Sequence, residues 1–343
     1  MYSMKRLVIL FLFLACGTCV FAQFKLSGKI NHYSGKEPLQ INIPIAYGYA
    51  EDNNINIPVA KNGAFTITIP VKGSKFASLN FQRSFHWLLL SPGKNLTVAL
   101  DESDKKITFI SGTAQTENAL LDNINLEEYP AFLQDDRLYN NPDYTAMNAR
   151  FVKPYFAVRD SKIARVNQAA ISPEDKKQII AEIKYNALNN LYELVSLASG
   201  NQATVGRLIT DLFSKTSTKP DVFPAGPQYY TFANNYLGYM ARKAIAQAKS
   251  QNLKHNQPIP YYGITSDSLT AISAKYGEPY LRFIGATKFL PDAVTEQLTY
   301  KQIVHSFNEK NRVQTEILAN AFIKKFPTSV YKADIKKKLN ILR

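Results

Sequence analysis

Residues 54–70 read NINIPVAKNGAFTITIP, and their pattern indicates that the first third of the chain forms strands. Apolar and polar residues alternate on both sides of Asn62-Gly63, and a period of two is typical of a half-buried strand. Asn-Gly is a strong hairpin signal because both residues tolerate positive φ. We therefore expect a hairpin here, with Phe65, Ile67 and Ile69 facing a core and the threonines facing outward.

The same period extends from residue 24 to about residue 111. Pro44, Pro58 and Pro70 are expected at strand ends or edges, because proline cannot donate a hydrogen bond to a neighbouring strand. About eight short strands separated by turns predict an antiparallel sandwich or open barrel. Besides the two around Asn62-Gly63, the strands are expected in FKLSGKI (24–30), LQINIPI (39–45), 76–82, 85–90, 95–100 and 106–110.

The period becomes helical near Thr113. Ser172-Pro173-Glu174-Asp175 is a helix start, with a serine cap, proline in the first turn and acids near the positive helix end. An apolar stripe follows to Val195, and Pro154 is expected to start or kink an earlier helix. Further helices are expected at about 144–168, 203–215, 228–249, 266–276, 296–308, 312–325 and 328–341, with partner-facing loops at 217–228 and 251–265.

The predicted fold class is α+β. An N-terminal antiparallel β-sandwich (residues 23–112) is followed by an all-α helical domain (residues 113–343).

Residues 1–22 have the layout of a secretory signal peptide: a basic start, an apolar run and a small-residue box. Cleavage is expected between Ala22 and Gln23, which predicts a periplasmic or cell-envelope protein. The alternative is a lipoprotein that begins at Cys16. Ala15 suits that processing, whereas Leu14 before it is bulky.

Both cysteines, Cys16 and Cys19, lie in this segment, so the mature chain has no thiol. It can form no disulfide, no thiolate nucleophile and no zinc–sulfur site, and by itself it is expected to lack disulfide reductase activity. No serine-hydrolase signature and no glycine-rich phosphate loop occurs. We therefore expect no enzyme, and we assign no catalytic, cofactor-binding or metal-binding residue.

The histidines and the acidic pairs do not form candidate sites. His32, His86, His255 and His305 do not have metal-ligand spacing. The acidic stretches 101–104 and 135–136 are polar and turn-like, so we expect solvated carboxylates without a reason for shifted pKa values.

The whole chain carries a net charge of +14, which becomes +12 once Lys5 and Arg6 are removed. The charge is spread along the chain and no nucleic-acid-binding motif occurs, so no nucleic-acid partner is expected. The basic run Lys336–Lys338 is expected to be a solvated helix face. The more specific alternative is that this basic run makes peripheral contact with an anionic envelope surface.

Tyrosines are the one side-chain type that suggests a ligand. At helical spacing, Tyr229, Tyr236 and Tyr239 are most simply core residues of a bundle. Tyrosines beside proline-bearing loops can also stack on sugars or peptides. The candidate ligand contacts are Tyr229, Tyr230, Tyr261 and Tyr262.

The order of several short motifs resembles the β-rich amino-terminal domain and helical region of Bacteroidota envelope thiol–disulfide oxidoreductases of the thioredoxin-like family. The motifs are FKLSGKI (24–30), NGAF (62–65), SPGKNL (91–96), ISGT (110–113) with Asn118 after it, and FPTSVY (326–331) before a basic helix. The resemblance implies a thioredoxin domain after this region, which the sequence does not contain. We expect either a stand-alone accessory module or a truncated chain.

Three functions follow. The first is an exported, non-catalytic binding or accessory module of the cell envelope. The second is a component of a redox system that works with a thioredoxin-like partner in trans. The third is a glycan- or peptide-capture protein, suggested by the tyrosines.

The first prediction concerns processing. Cleavage after Ala22 should give an exported species whose intact mass begins at Gln23 and which does not react with thiol reagents. A lipidated species that begins at Cys16 would contradict it.

Overall fold

The computed structural model describes residues 23–46, 49, 51–82, 84–104, 106–134, 143–197, 202–222, 226–306 and 309–341. The signal segment with Ala22 and Cys16 lies outside these residues, as do Asp135 and Asp136. The chain divides into two compact units, residues 1–43 with 50–123 and residues 44–49 with 124–343. Strands occupy the first unit and helices the second, so the α+β architecture is confirmed.

The strand unit contains two four-stranded sheets, with strand orders β4-β1-β7-β8 and β3-β2-β5-β6. Alternate residues of both sheets, such as Phe24, Leu26, Ile41 and Leu79, share one buried core. The strands are β1 Gln23–Asn31, β2 Leu39–Asn42, β3 Asn54–Ile57, β4 Ala64–Pro70, β5 Lys75–Phe81, β6 Ser84–Leu90, β7 Asn95–Asp101 and β8 Ile107–Ser111.

One strand pair departs from the antiparallel expectation. β1 lies antiparallel to β4 but parallel to β7, with Leu26 opposite Leu96. Parallel neighbours need a long crossover connection. Here the chain between β1 and β7 supplies it, because that stretch also builds the whole second sheet.

The Asn62-Gly63 turn does not join paired strands, so the hairpin prediction was wrong about pairing. β3 pairs with β2 in one sheet, whereas β4 pairs with β1 in the other. Across the turn only Val59 and Phe65 form a bridge, and the Gly63 N–H donates to the Ala60 carbonyl at 2.8 Å. The turn therefore carries the chain from one sheet to the other.

Helix α1 (Gln115–Ile124) belongs to the strand unit up to Asn123 and contacts its edge strand β6. The buried Asn118 side chain accepts from the Leu89 N–H at 2.8 Å and donates to the Leu89 carbonyl at 3.2 Å. It thus pairs with Leu89 as a neighbouring strand would, which covers part of an otherwise open edge. Next to it, Glu117 is buried and forms an ion pair with Lys94 at 2.5 Å.

The helical unit is built around α5, a helix of 25 residues that packs against α4, α6 and α7. After α1, the helices are α2 Ala131–Gln134, α3 Tyr144–Met147, α4 Lys153–Gln168, α5 Pro173–Leu197, α6 Gln202–Thr216, α7 Tyr229–Ser250, α8 Ser266–Tyr276, α9 Glu278–Phe289, α10 Asp292–Ser306, α11 Arg312–Lys325 and α12 Lys332–Ile341. A π-helical segment, Asn148–Val152, joins α3 to α4.

Two features were not expected from the pattern. Helix α9 was missed, because Gly277, with φ of +82°, and Pro279 look like loop residues; in fact they end α8 and start α9. The loop 217–228 was expected to be exposed. Its described residues include the exposed Ser217, Lys219 and Asp221 and the buried Pro220 and Gly226, so the described part of the loop is only partly exposed.

The second prediction concerns Gly63, whose φ is +82° and whose added Cβ would lie 2.1 Å from the Ile30 carbonyl oxygen. Gly63→Val should lower the free energy of unfolding by roughly 3 kcal/mol, since strain and overpacking both act. Gly35 is the matched control, because its φ is +76° and its Cβ would meet nothing within 4 Å. Gly35→Val should cost roughly 1 kcal/mol. Equal losses in urea unfolding would contradict the close approach at Gly63.

Candidate ligand site

Helix α5 carries a buried polar face made of Glu182, Asn186, Asn189 and Asn190. Their spacing of four, three and one places them on one side of the helix. Each side chain is less than 10% exposed, although burying such groups is costly unless they are hydrogen-bonded. The apolar stripe in the sequence does not predict this buried polar face. The polar residues at helical spacing, inside an otherwise apolar helix, could have predicted it.

Glu182 fixes the start of helix α7. Its two carboxylate oxygens accept from the backbone N–H groups of Gly226 at 3.0 Å and Gln228 at 2.7 Å. Because Gln228 directly precedes α7, the carboxylate satisfies N–H groups where the helix dipole is positive. Burial raises the pKa of Glu182 to about 7, against the lowering effect of these two hydrogen bonds.

The three asparagines extend the same network. Asn186 and Gln228 both donate to the Leu126 carbonyl at 2.8 Å, and Asn190 donates to the Tyr155 hydroxyl on α4 at 2.7 Å. Asn189 Oδ1 accepts from Asn235 Nδ2 on α7 at 3.1 Å. The polar face therefore holds α4 and α7 in register with α5.

Helix α7 presents Asn235 to a cavity of about 510 Å³, which we call the tyrosine groove. A cavity of this volume is in the range of small-molecule sites. Residues of α5, α7, α8, α9 and the loop before α8 line it: Tyr192, Asn234, Asn235, Leu237, Gly238, Ala241, Tyr262, Leu269, Glu278, Leu281, Arg282 and Gly285.

Two glycines of the groove lie beside two tyrosine hydroxyls. A Cβ added at Gly238 would lie 3.2 Å from Tyr192 Oη, and one added at Gly285 would lie 3.5 Å from Tyr262 Oη. Burial raises the pKa of Tyr262, and the nearby carboxylate of Glu278 adds to the effect. The Tyr262 hydroxyl therefore stays neutral and can both donate and accept hydrogen bonds.

The groove also contains one cationic and one anionic side chain, which do not form an ion pair with each other. Glu278 and Arg282 are four residues apart on α9, a spacing that favours an ion pair. Neither forms an ion pair with any residue that the structure describes, and Arg282 Nη1 donates instead to Asn234 Oδ1 at 3.3 Å. Both charged groups are open to a ligand.

The structure brings one of the four candidate tyrosines into this groove. Tyr262 lines it, while Tyr261 is exposed on the same loop with φ of +67°. Tyr229 is fully buried, and its hydroxyl donates to the Pro220 carbonyl at 2.9 Å. Tyr230 is half-buried and packs on His305, with ring centroids 5.9 Å apart. Tyr229 is thus a core residue.

The other candidates have simpler surroundings. Asp101 is the last residue of strand β7, where a hydrogen bond from the Ser103 side chain lowers its pKa; the expectation of an unshifted value there was wrong. His86 Nδ1 lies 3.9 Å from Asp122, and His32 Nδ1 lies 3.3 Å from Asp101. Among the described residues, no three His, Cys, Asp or Glu side chains are placed to hold a metal ion. None of the described helices has the length and apolar character needed to cross a bilayer.

The third prediction concerns Glu182. Its folded pKa, about 7, lies above the ordinary value of 4.5, so the folded state binds the proton more tightly than the unfolded chain. The stabilisation that results from this raised pKa is fully present below pH 4.5. It is lost as the pH rises to about 7, which lowers the free energy of unfolding by up to about 3 kcal/mol. E182Q resembles the protonated form. It should match the wild type near pH 4 and exceed its free energy of unfolding near pH 8. Parallel pH profiles in chemical denaturation would contradict this assignment.

Comparisons of the chain with protein-family models, with curated proteins and with solved structures gave no significant match. The site is therefore described by its own geometry.

Proposed function

We propose that the protein is an exported, non-catalytic binding module of the cell envelope, and that the tyrosine groove binds a neutral, hydroxyl-rich ligand, a short oligosaccharide. The observation that carries the proposal is the pairing of two tyrosine hydroxyls with two glycines, beside the side chains of Asn234, Asn235 and Arg282. This arrangement combines open space with hydrogen-bonding groups in its lining.

The polar groups of the groove suit sugar hydroxyls. Arg and Glu side chains are planar and have fixed donors or acceptors, so Arg282 and Glu278 can each bind two neighbouring hydroxyl groups. The Asn234 side chain accepts from Arg282 and the Asn235 side chain donates to Asn189, so these two amides support the lining. Arg282 and Glu278 contribute opposite charges, which leaves the lining without net charge. A neutral ligand therefore fits better than a strongly anionic or cationic one.

The apolar part of the lining suits the carbon skeleton of a sugar. Leu237, Leu269 and Leu281 form walls, and the ring of Tyr262 is held edge-on against Phe289 at a centroid distance of 4.9 Å. Apolar walls with a few placed polar groups are typical of small-ligand sites. Tyrosine adds an aromatic surface with a polar tip.

The envelope location in this proposal rests on the signal-like residues 1–22, and the non-catalytic role rests on the chain having no cysteine after Ala22. The resemblance to the accessory region of thioredoxin-like envelope proteins is consistent with both.

The fourth prediction tests the groove with Gly285→Ala. An added methyl group would meet the Tyr262 hydroxyl at ordinary contact distance, 3.5 Å, and would narrow the groove without a clash. Because alanine is the better residue inside a helix, the variant should gain roughly 0.5–1 kcal/mol of stability. It should nevertheless bind a saccharide more weakly by about tenfold. The measurements are thermal unfolding, and calorimetric titration with maltotetraose, cellotetraose and xylotetraose.

Gly206 in helix α6 is the matched control. Its added Cβ meets nothing within 4 Å, and it lies outside the groove. Gly206→Ala should give a similar rise in stability and leave saccharide affinity unchanged. The proposal fails if both variants bind equally well. It also fails if the wild type binds none of the saccharides, and peptide binding that Gly285→Ala weakens would then assign the groove to peptide capture.

A further inference from the structure

A second cavity of about 510 Å³ lies in the helical unit, lined by α4, α5 and α6, and we call it the basic groove. It shares no lining residue with the tyrosine groove. Its apolar lining residues are Val152, Phe156, Ile163, Leu208 and Leu212, which come from both sides of the groove. Val152, Leu208 and Leu212 are almost fully buried, whereas Phe156 and Ile163 are half-buried. A hydrocarbon chain in the groove would therefore contact mainly Phe156 and Ile163, beside the small exposed parts of the other three side chains.

The charged lining of this groove has an excess of cations. Arg159 pairs with Asp160 at 2.7 Å, and Lys215 pairs with Asp211 at 2.9 Å. Two further lining residues, Lys153 and Lys184, form no ion pair with any residue in the described part of the chain. The described lining thus carries a net charge of about +2 at neutral pH.

The wall of the groove contains the π-helical segment Asn148–Val152, and both ends of that segment line the cavity. Pro154 explains the irregularity, because it has no N–H and its ring excludes the carbonyl of residue 150 from a regular α turn. π-Helical turns are often found at functional sites.

Helix α3, which directly precedes this segment, is anchored on the other side of the groove through Tyr144. The Tyr144 hydroxyl donates to the Asp211 carboxylate on α6, and the Arg207 guanidinium lies 3.7 Å from the centre of the Tyr144 ring. These contacts hold Asp211 in place, so this carboxylate is already committed to Tyr144 and Lys215. It does not neutralise Lys153 or Lys184.

From these observations we propose that the basic groove binds an amphiphilic anion: a single hydrocarbon chain with one acidic headgroup. The chain would contact the apolar lining and the headgroup would be held by Lys153 and Lys184. An inorganic anion would leave the apolar lining unused, and a neutral chain would leave both ammonium groups without a partner. The proposal does not depend on saccharide binding at the tyrosine groove.

The test is a calorimetric titration of the wild-type protein with octanoate, decanoate and dodecanoate, each below its micelle-forming concentration. Each added methylene that enters the groove should tighten binding about three- to fourfold. Dodecyl phosphate should also bind, which would extend the headgroup from carboxylate to phosphate. Acetate and dodecanol should bind at least tenfold more weakly than dodecanoate. Affinity that does not change with chain length, or equal affinity for dodecanol and dodecanoate, would overturn the proposal.

Charge variants locate the binding site. The double variant K153E/K184E should weaken dodecanoate binding at least tenfold. The matched control K177E/K337E changes the net charge equally at two exposed lysines outside the groove, and it should bind as the wild type does. Should the first variant fail to fold, K153M/K184M removes the same charges and keeps the length of the side chains. Equal losses in the groove variants and the control would show binding by net charge alone and would overturn the site.

Discussion

The buried polar face of helix α5 is the constraint on which the helical unit depends. A carboxylate and three amides lie inside the bundle, and each needs hydrogen-bond partners to offset the loss of water. Glu182 has its hydrogen-bond partners at the start of α7, Asn190 has its partner on α4, and Asn189 has its partner on α7. Apolar contacts alone would allow neighbouring helices to slide, whereas these bonds are satisfied in only one register.

Both grooves depend on this register. The tyrosine groove takes Tyr192 from α5 and Asn235 from α7, and Asn189 holds Asn235 by a hydrogen bond. The basic groove takes Lys184 from α5 and its wall from α4, which Asn190 reaches through Tyr155. The two linings differ in charge: the lining of the tyrosine groove is balanced, and that of the basic groove has an excess of cations. The ligands that we propose for the two grooves differ in chemistry for this reason.

The strand unit uses a comparable device at its surface. Its edge strand β6 would leave the backbone of Leu89 open to another strand, but Asn118 occupies both hydrogen-bonding groups of that residue. The adjacent ion pair of Glu117 with Lys94 fixes α1 close to the turn before β7. In both units, buried polar side chains fix the register of elements that the apolar core brings together.

Periodicity in the sequence determined the class of each half, because periods of two and 3.6 follow directly from strand and helix geometry. Pro154, Asn62-Gly63 and Ser172-Pro173 likewise marked a helix irregularity, a turn and a helix start from local chemistry alone. The sequence also determined that no thiol follows Ala22.

The sequence did not determine which strands pair with each other. β4 pairs with β1 across the chain, and β1 runs parallel to β7, because pairing depends on which faces must be buried together. The sequence did not predict the grooves either, since Tyr192 and Gly285 are far apart in the chain and line one cavity only when α5, α7 and α9 pack. Only the tertiary structure decided which tyrosines are core and which line a cavity, because burial is a property of the packed bundle and not of any local stretch of residues.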